Sequence, residues 1–248
     1  TIYHIDFSFD SLHLGGSAFA QSLGRVGSDV PTVKNPEYFR DAFNAVQQCV
    51  AAGLLQAGHD ISAGGLITTL LEMCFANVDG GLEIDLDEMA ETDIVKLLFA
   101  ENPGVVVEVS AANDAAFRAV MDEAGVGYVA IGSPTEERHI LVSKGDATWP
   151  FGIDHLRDVW FSSSYLMDCH QSRNGMAKAR FENYKEQPLE FNFLPSFSGK
   201  LAQYGMNPDR RERSGIKAAI IREKGTNGER EMAYCLYLAG FDVKDVMM

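Results

Sequence analysis

The chain has 248 residues, 46% of them hydrophobic, and this length supports one large domain or one and a half. Its formal net charge of −14 argues against nucleic-acid binding, because that function depends on Lys and Arg contacts to phosphates. No apolar stretch reaches about 18 residues and no signal peptide is visible, so no transmembrane helix is predicted. The four cysteines form no CxxC pair, which is typical of reduced thiols in a cytoplasmic protein.

The first predicted elements are helices separated by a short strand. Residues 15–23 open with two glycines and a serine and predict a short helix. An amphipathic helix begins at residues 35–36, where Asn suits the N-cap and Pro the first helical position. Its apolar residues recur at helical spacing and are Phe39, Phe43, Val46, Val50 and Leu54. A strand then leads into residues 59–60, and residues 65–76 predict a helix buried on most sides.

The middle of the chain predicts a sheet with helices packed on it. Residues 82–86 alternate apolar with acidic side chains, as in a half-exposed strand. A helix near residues 94–99 precedes the β-branched run 105–109, which we expect to be a central strand. A further helix and two strands follow at residues 113–124, 128–131 and 139–142. This order predicts an α/β (α+β) fold, a mixed sheet packed by helices.

The last part of the chain predicts a change of domain. A long helix is expected over residues 153–179, and residues 185–214 hold several Pro and Gly without any period. Such a stretch is more typical of a linker than of a loop inside one domain. We therefore predict a first domain over residues 1–184, a linker over 185–214 and a second domain that starts over 215–248.

The predicted second domain opens with a strand, a helix and a strand. Residues 216–221 form a buried-strand pattern. Thr226 and Glu229 have the spacing of a capping box, and Gly240 is expected to end the helix. A second strand over residues 241–246 would complete the first βαβ unit of an open α/β sheet.

The strongest candidate site is the turn at residues 59–66, where a strand leads into a helix. Asp60 offers the hard oxygen that Mg²⁺ prefers. Gly64 and Gly65 allow the backbone to approach an anion at a helix N-terminus. Ser62 could cap that helix or contact a phosphate. The alternative interpretation is a tight turn that binds nothing, with Asp60 in a capping role.

A second glycine turn is also a candidate phosphate site. The backbone amides of Gly15, Gly16 and Ser17 could cradle a phosphate, or the three residues could simply start a helix. The sequence contains neither a Walker loop nor a GxGxxG pattern. Nucleotide binding would therefore depend on these two turns.

Three other polar residues are interpreted as non-catalytic. His59 and Asp60 are neighbours on a strand, so their side chains should point to opposite faces. Glu101 precedes the predicted central strand, where a loop carboxylate is usually solvated and a ligand role is the less common interpretation. Cys235 lies within a helix rather than at a strand-to-helix elbow, which argues against a nucleophile.

Several motifs in this order resemble large-form phosphoribosylformylglycinamidine synthases. They are residues 14–21, 59–66, 71–76, 99–104, 220–228, 231–233 and 239–242. The resemblance spans nearly the whole chain. It implies a second AIR-synthetase-like C-terminal subdomain, followed by the truncated start of a class I glutamine amidotransferase domain.

The resemblance implies a ligase of de novo purine biosynthesis. That ligase uses ATP and glutamine to convert formylglycinamide ribonucleotide into formylglycinamidine ribonucleotide. It implies that Asp60 helps hold Mg²⁺ on a tightly bound structural ADP, with the other ligands supplied from outside this chain. It also places the glutaminase Cys, His and Glu beyond Met248, so we expect no catalytic residue here and no activity of the chain alone. Ala63 departs from the family pattern, in which Asp is common.

Two alternatives remain open. The first is a relative such as aminoimidazole ribonucleotide synthetase, although that enzyme has no glutaminase-like tail. The second is a non-catalytic scaffold that only docks partners. We expect a cytoplasmic protein with small-molecule substrates and neither nucleic-acid nor membrane partners. Because the sequence lacks an initiator Met and ends in a strand pattern, we also expect it to be a piece of a longer polypeptide.

Overall fold

The computed structural model describes residues 1–186 and 191–247 and divides into two compact units, Thr1–Pro188 and Leu189–Met248. Residues 187–190 of the predicted linker and residue 248 of the predicted second domain lie outside the described residues. Within the described ranges, no helix has both the length and the apolar character that crossing a bilayer would require. The two units are described separately below.

The first unit is built on a seven-stranded mixed sheet. Its strands are β1 (Ile2–Asp6), β2 (Leu55–Asp60), β3 (Gly81–Asp85), β4 (Gly104–Val109), β5 (Val129–Thr135), β6 (His139–Lys144) and β7 (Ala147–Gly152). The order across the sheet is β2-β4-β1-β5-β3-β6-β7. Strands β3 and β6 are parallel, and the other neighbouring pairs are antiparallel. The predicted mixed sheet is confirmed.

Strands β1 and β7 are absent from the sequence-based prediction. Pro150 lies inside β7, and proline normally argues against a strand because it cannot donate to the ladder. Strand β7 is at the edge of the sheet, where one row of amides needs no partner. The edge position therefore tolerates a residue that a sequence pattern would reject.

The described residues of this unit, 1–186, contain seven α-helices. They are α1 (Ala18–Ser22), α2 (Pro36–Ala51), α3 (Gly65–Phe75), α4 (Ile94–Phe99), α5 (Asp114–Glu123), α6 (Ile153–Gln171) and α7 (Met176–Glu182). The single long helix predicted over residues 153–179 is wrong. The backbone of Ser172 is extended, with φ −94° and ψ 159°, and Gly175 has φ 86° before α7 begins. A left-handed glycine allows the chain to restart as a second helix.

Helices cover both faces of the sheet and create two hydrophobic cores. Helices α3, α4 and α6 pack on one face, whose buried side chains include Ile2, Leu70, Ile84, Leu97, Val106 and Ile153. Helices α2 and α5 pack on the other, with Tyr3, Ile5, Val46, Val107, Phe117 and Met121. Consecutive residues of β1 thus enter opposite cores, as the two-residue period of a strand requires.

Helix α2 starts where the sequence predicts but buries a rotated face. The Asn35 side-chain oxygen accepts hydrogen bonds from the amides of Glu37 and Tyr38 at 3.1 Å each, so the predicted N-cap is confirmed. Phe43 is 48% exposed and Val50 is 56% exposed. The buried residues are instead Ala42, Ala45, Val46 and Cys49. Small side chains let this helix lie close to α5 and the sheet.

The second unit contains a parallel βαβ arrangement. Strands β8 (Lys217–Arg222) and β9 (Asp242–Met247) pair in parallel around helix α8 (Glu229–Leu238), as predicted. The predicted capping box is wrong. The residue before α8 is Gly228, with φ 81°, and the Thr226 hydroxyl accepts a hydrogen bond from the Glu223 amide instead. The strand predicted as buried over residues 216–221 is also exposed in part, because Ile221 of β8 is 63% exposed.

His4 should make stability depend on pH. This side chain on β1 is 9% exposed, and burial lowers its pKa while the charge of Asp6 only partly opposes the shift. The folded state therefore keeps His4 neutral at a pH where the unfolded chain is protonated. Below the ordinary value of about 6.5, the unfolded state binds more protons and the free energy of unfolding falls.

We expect His4→Phe to flatten the decrease in the free energy of unfolding between pH 7 and pH 5. Urea titrations at several pH values measure this slope. His155→Phe is the matched control, because His155 is an exposed residue on α6 and its replacement should leave the slope unchanged. An unaltered slope in His4→Phe would assign the pH dependence to other groups.

Candidate functional site

The candidate site lies where the edge strand β2 ends and α3 begins. Asp60 is the last residue of β2, and its side chain is 72% exposed. Its backbone oxygen accepts a hydrogen bond from the Thr69 hydroxyl at 3.0 Å, which fixes the strand end against α3. Ser62 in the following turn is exposed as well. The backbone of Asp60 is therefore anchored to α3, and its carboxylate is open to solvent.

Asp60 alone cannot complete a magnesium site. Mg²⁺ requires near-octahedral coordination by oxygen. Within residues 1–186 and 191–247, no group of three or more His, Cys, Asp or Glu side chains is arranged to hold a metal ion. A single exposed carboxylate cannot hold a cation by itself. It is better suited to a cation whose other oxygen ligands come from a bound phosphate.

His59 connects Asp60 with α3. Its Nδ1 atom lies 3.5 Å from Oδ1 of Asp60, and its Nε2 atom lies 3.4 Å from Oε2 of Glu72. The Nδ1 atom of His59 lies closer still to the backbone oxygen of Asp60, at 2.8 Å, so the ring contacts its neighbour at the strand end. The expectation that the two side chains point to opposite faces stays a prediction. Glu72 also accepts a hydrogen bond from Trp160 Nε1 at 2.8 Å. Together these contacts place the His59 ring between the end of β2 and Glu72 of α3.

Gly64 and Gly65 have backbone conformations that favour glycine, with φ of 94° and 71°. The Gly64 amide donates to Oε1 of Glu101 at 2.8 Å, and the Gly65 amide donates to the Ser62 carbonyl at 3.0 Å. A Cβ atom on Gly65 would lie 2.7 Å from the carbonyl oxygen of Leu98. Gly65 thus permits a close approach between the start of α3 and the end of α4.

The backbone amides of the turn at Gly15, Gly16 and Ser17 also donate hydrogen bonds to acceptors of this chain. The amides of Gly15 and Gly16 donate to the carbonyls of Asp29 and Val26, at 2.8 and 2.7 Å. The Ser17 amide donates to a carbonyl within the turn at 3.2 Å. The Ser17 side chain is the N-cap of α1 and is 1% exposed as a residue. This turn is therefore a packed helix start.

These hydrogen bonds bear directly on phosphate binding. All five amides predicted to cradle a phosphate donate to acceptors within the chain; they belong to Gly15, Gly16, Ser17, Gly64 and Gly65. A phosphate bound by any of them would have to replace that acceptor. Phosphate binding by these residues and by Ser62 stays a prediction.

Sequence reasoning considered Glu101 but assigned it to no site, and the structure places it beside the candidate site. Its Oε1 atom accepts hydrogen bonds from the amides of Ala18 at 2.7 Å and Gly64 at 2.8 Å. The interpretation of Glu101 as a solvated loop carboxylate is wrong. The available signal was its position in residues 99–104, one of the motifs that carried the family resemblance.

The residues around Glu101 form a hub, which we define as residues 99–104. Phe99 stacks on Phe19 of α1, with ring centroids 4.7 Å apart. Asn102 is 4% exposed, and its amide group donates to the Ser8 hydroxyl and to the Ser11 carbonyl. The hub therefore joins the 8–18 loop to the turn before α3.

Comparisons with known proteins agree with this fold. Residues 7–144 match the family described as AIR synthase related protein, C-terminal domain. Residues 215–248 match the family described as CobB/CobQ-like glutamine amidotransferase domain. The second match confirms that the short βαβ unit resembles the opening of a glutaminase domain.

Curated relatives match almost the entire chain. A probable phosphoribosylformylglycinamidine synthase of Arabidopsis thaliana is 35% identical over 99% of this chain. The phosphoribosylformylglycinamidine synthases of Homo sapiens and Dictyostelium discoideum are 34% and 30% identical over 95% and 100% of it. The chain spans only 17% to 20% of the length of these relatives.

A solved structure shows the same fold. Thermotoga maritima PurL, complexed with FGAR, superposes with a TM-score of 0.51 at 17% sequence identity. The likeness covers 62% of this chain and 27% of that chain. At this identity it supports the fold alone.

Proposed function

The chain belongs to the AIR synthase related protein family, and from this membership we propose that it is part of an ATP- and glutamine-dependent ligase. The reaction would convert formylglycinamide ribonucleotide into formylglycinamidine ribonucleotide, a step of purine biosynthesis. The supporting observation is that relatives named for this activity match 95% to 100% of the chain. The glutamine amidotransferase match at residues 215–248 argues against a plain aminoimidazole ribonucleotide synthetase.

Within this ligase, the first unit would form one side of a nucleotide site for ATP or ADP. Asp60 would provide one oxygen ligand to a Mg²⁺ ion on the phosphates. Bound Mg²⁺ would neutralise phosphate charge. The exposed carboxylate of Asp60 and the anchored backbone of this residue support the role. Residues outside this chain would supply the remaining protein ligands.

The second unit would contribute the start of the glutaminase domain. We assign no catalytic residue to it, and we expect the chain by itself to show neither glutaminase activity nor ATP turnover. The cytoplasmic location expected from the cysteine content stays a prediction.

Replacing Asp60 tests the metal role. In the complete ligase, we expect Asp60→Ala to weaken Mg·ADP binding by about tenfold or more, since even residues that only support a metal ligand matter by 10–100-fold. Isothermal titration calorimetry with and without Mg²⁺ measures this effect. Asp146→Ala, in the exposed turn between β6 and β7, is the control with equal charge change.

Two results would count against the proposal. If Asp60→Ala bound Mg·ADP as tightly as the wild type, Asp60 would not be a metal ligand. If neither protein bound the nucleotide, the non-catalytic scaffold alternative would be favoured.

A further inference from the structure

One carboxylate oxygen joins two loops that are distant in sequence. Glu101 Oε1 accepts hydrogen bonds from the Ala18 amide, 83 residues away, and from the Gly64 amide, 37 residues away. Both amides lie at the start of a helix, where backbone N–H groups have no partner inside the helix. Oε1 of Glu101 thus provides the missing hydrogen-bond acceptor for one backbone amide at the start of α1 and for another at the start of α3.

The amides also compensate the charge of Glu101. Among the described residues, no Lys, Arg or His side chain forms an ion pair with this carboxylate within 4.0 Å. Charge-assisted hydrogen bonds from amides are stronger than neutral ones. The two loops are therefore joined by two charge-assisted hydrogen bonds to the same carboxylate oxygen.

The surrounding packing keeps Glu101 in place. Phe99 stacks on Phe19 from one side, and its backbone lies so close to Gly65 that no Cβ atom fits between them. On the other side, the Asn102 side chain accepts a hydrogen bond from the His13 amide at 3.2 Å. The hub that contains Glu101 thus contacts both segments that the carboxylate joins, through Phe99 and Asn102.

We propose that Glu101 is a positioning residue of the nucleotide site. It holds the 14–18 loop at a fixed distance from the 60–65 turn, and so fixes where Asp60 and Ser62 present their side chains. This inference rests on the proposed function. A direct contact between Glu101 and a phosphate is disfavoured, because both groups are negatively charged.

Two substitutions separate positioning from direct contact with a cation. Glu101→Gln keeps a carbonyl oxygen at the same place, and that oxygen can accept from both amides. Glu101→Ala removes the acceptor altogether. Glu136→Ala, at an exposed bend between β5 and β6, controls for the loss of one negative charge.

Hydrogen–deuterium exchange in the complete ligase measures the contact without any nucleotide. We expect Glu101→Ala to accelerate exchange at the amides of Ala18 and Gly64 by about tenfold or more, since each loses its acceptor. Glu101→Gln should keep both amides protected. Unchanged exchange at either amide in Glu101→Ala would overturn the inference.

Calorimetry with Mg·ADP measures the consequence for binding. We expect Glu101→Ala to weaken binding about tenfold and Glu101→Gln to stay within about threefold of the wild type. An equal loss in both variants would identify a direct ligand and overturn the positioning role. Unchanged binding in Glu101→Ala would overturn it as well.

The two proposals can fail separately. If the wild type binds Mg·ADP, Asp60→Ala weakens binding and Glu101→Ala does not, only the role of Glu101 is wrong. If the wild type fails to bind Mg·ADP, the proposed function falls and the assignment of Glu101 to a nucleotide site falls with it. The exchange experiment then still reports whether Glu101 joins the loops.

Discussion

Replacing Gly65 with alanine is expected to lower the free energy of unfolding by about 3–4 kcal/mol, the sum of backbone strain and a steric collision. Gly65 has φ 71°, a conformation that an L-residue with a Cβ rarely adopts. The new Cβ atom would lie 2.7 Å from the Leu98 carbonyl oxygen and 2.8 Å from Cα of Phe99. Because these neighbours are backbone atoms, α3 or the hub must move.

Gly125→Ala is the matched control for Gly65→Ala. Gly125 has φ 65°, but nothing lies within 4 Å of the position that its Cβ would take. It should therefore show the conformational strain alone, about 1 kcal/mol. Urea unfolding can be followed through Trp149 and Trp160, which both lie in the first unit. Equal losses in the two variants would refute the close approach between α3 and the hub.

Replacing Arg138 with alanine is expected to lower the free energy of unfolding by about 2–4 kcal/mol, because several carbonyls lose a charged donor. The Arg138 guanidinium donates to the carbonyls of Cys74, Asn77 and Gly80, at 3.1, 2.8 and 3.2 Å. Its Nε atom donates to Asp154 at 3.0 Å. One side chain thus joins the end of α3 to the starts of β3 and α6.

Lysine should rescue little of this loss. Its single ammonium group lacks the planar fork that contacts several acceptors at once. Arg40→Ala is the control, because Arg40 is 63% exposed and pairs with the adjacent Asp41. That change should stay within about 0.5 kcal/mol. If Arg138→Lys were as stable as the wild type, charge alone would explain the role of Arg138.

The two expected losses concern opposite ends of α3. Gly65 allows the start of this helix to contact the hub. Arg138 donates hydrogen bonds to carbonyls at and just beyond the other end of the helix. The nearly all-apolar composition of α3 explains why both ends need such anchors. A helix buried on most sides cannot leave its terminal amides and carbonyls to water.

Local patterns in the sequence determined most of the secondary structure. The α4 bounds agree with the predicted residues 94–99, and α5 agrees with 113–124 to within one residue at each end. The start of α2 follows from Asn35 and Pro36, whose effects act within one turn of helix. The motif order also identified the family. Each of these signals depends on residues close together in the chain.

Only the tertiary structure decided the contacts on which the candidate site depends. The partners of Glu101 come from two other segments, and nothing in the spacing of residues 99–104 names them. Likewise, the amides of Gly15, Gly16 and Gly64 donate to acceptors 10 to 37 residues away in the chain, and the Gly65 amide donates to Ser62 in the same turn. Hydrogen bonding between remote backbone groups is determined by how elements pack. The periodicity of a sequence describes one helix or strand at a time. It therefore predicts which face of that element is buried, but not which other element packs against that face.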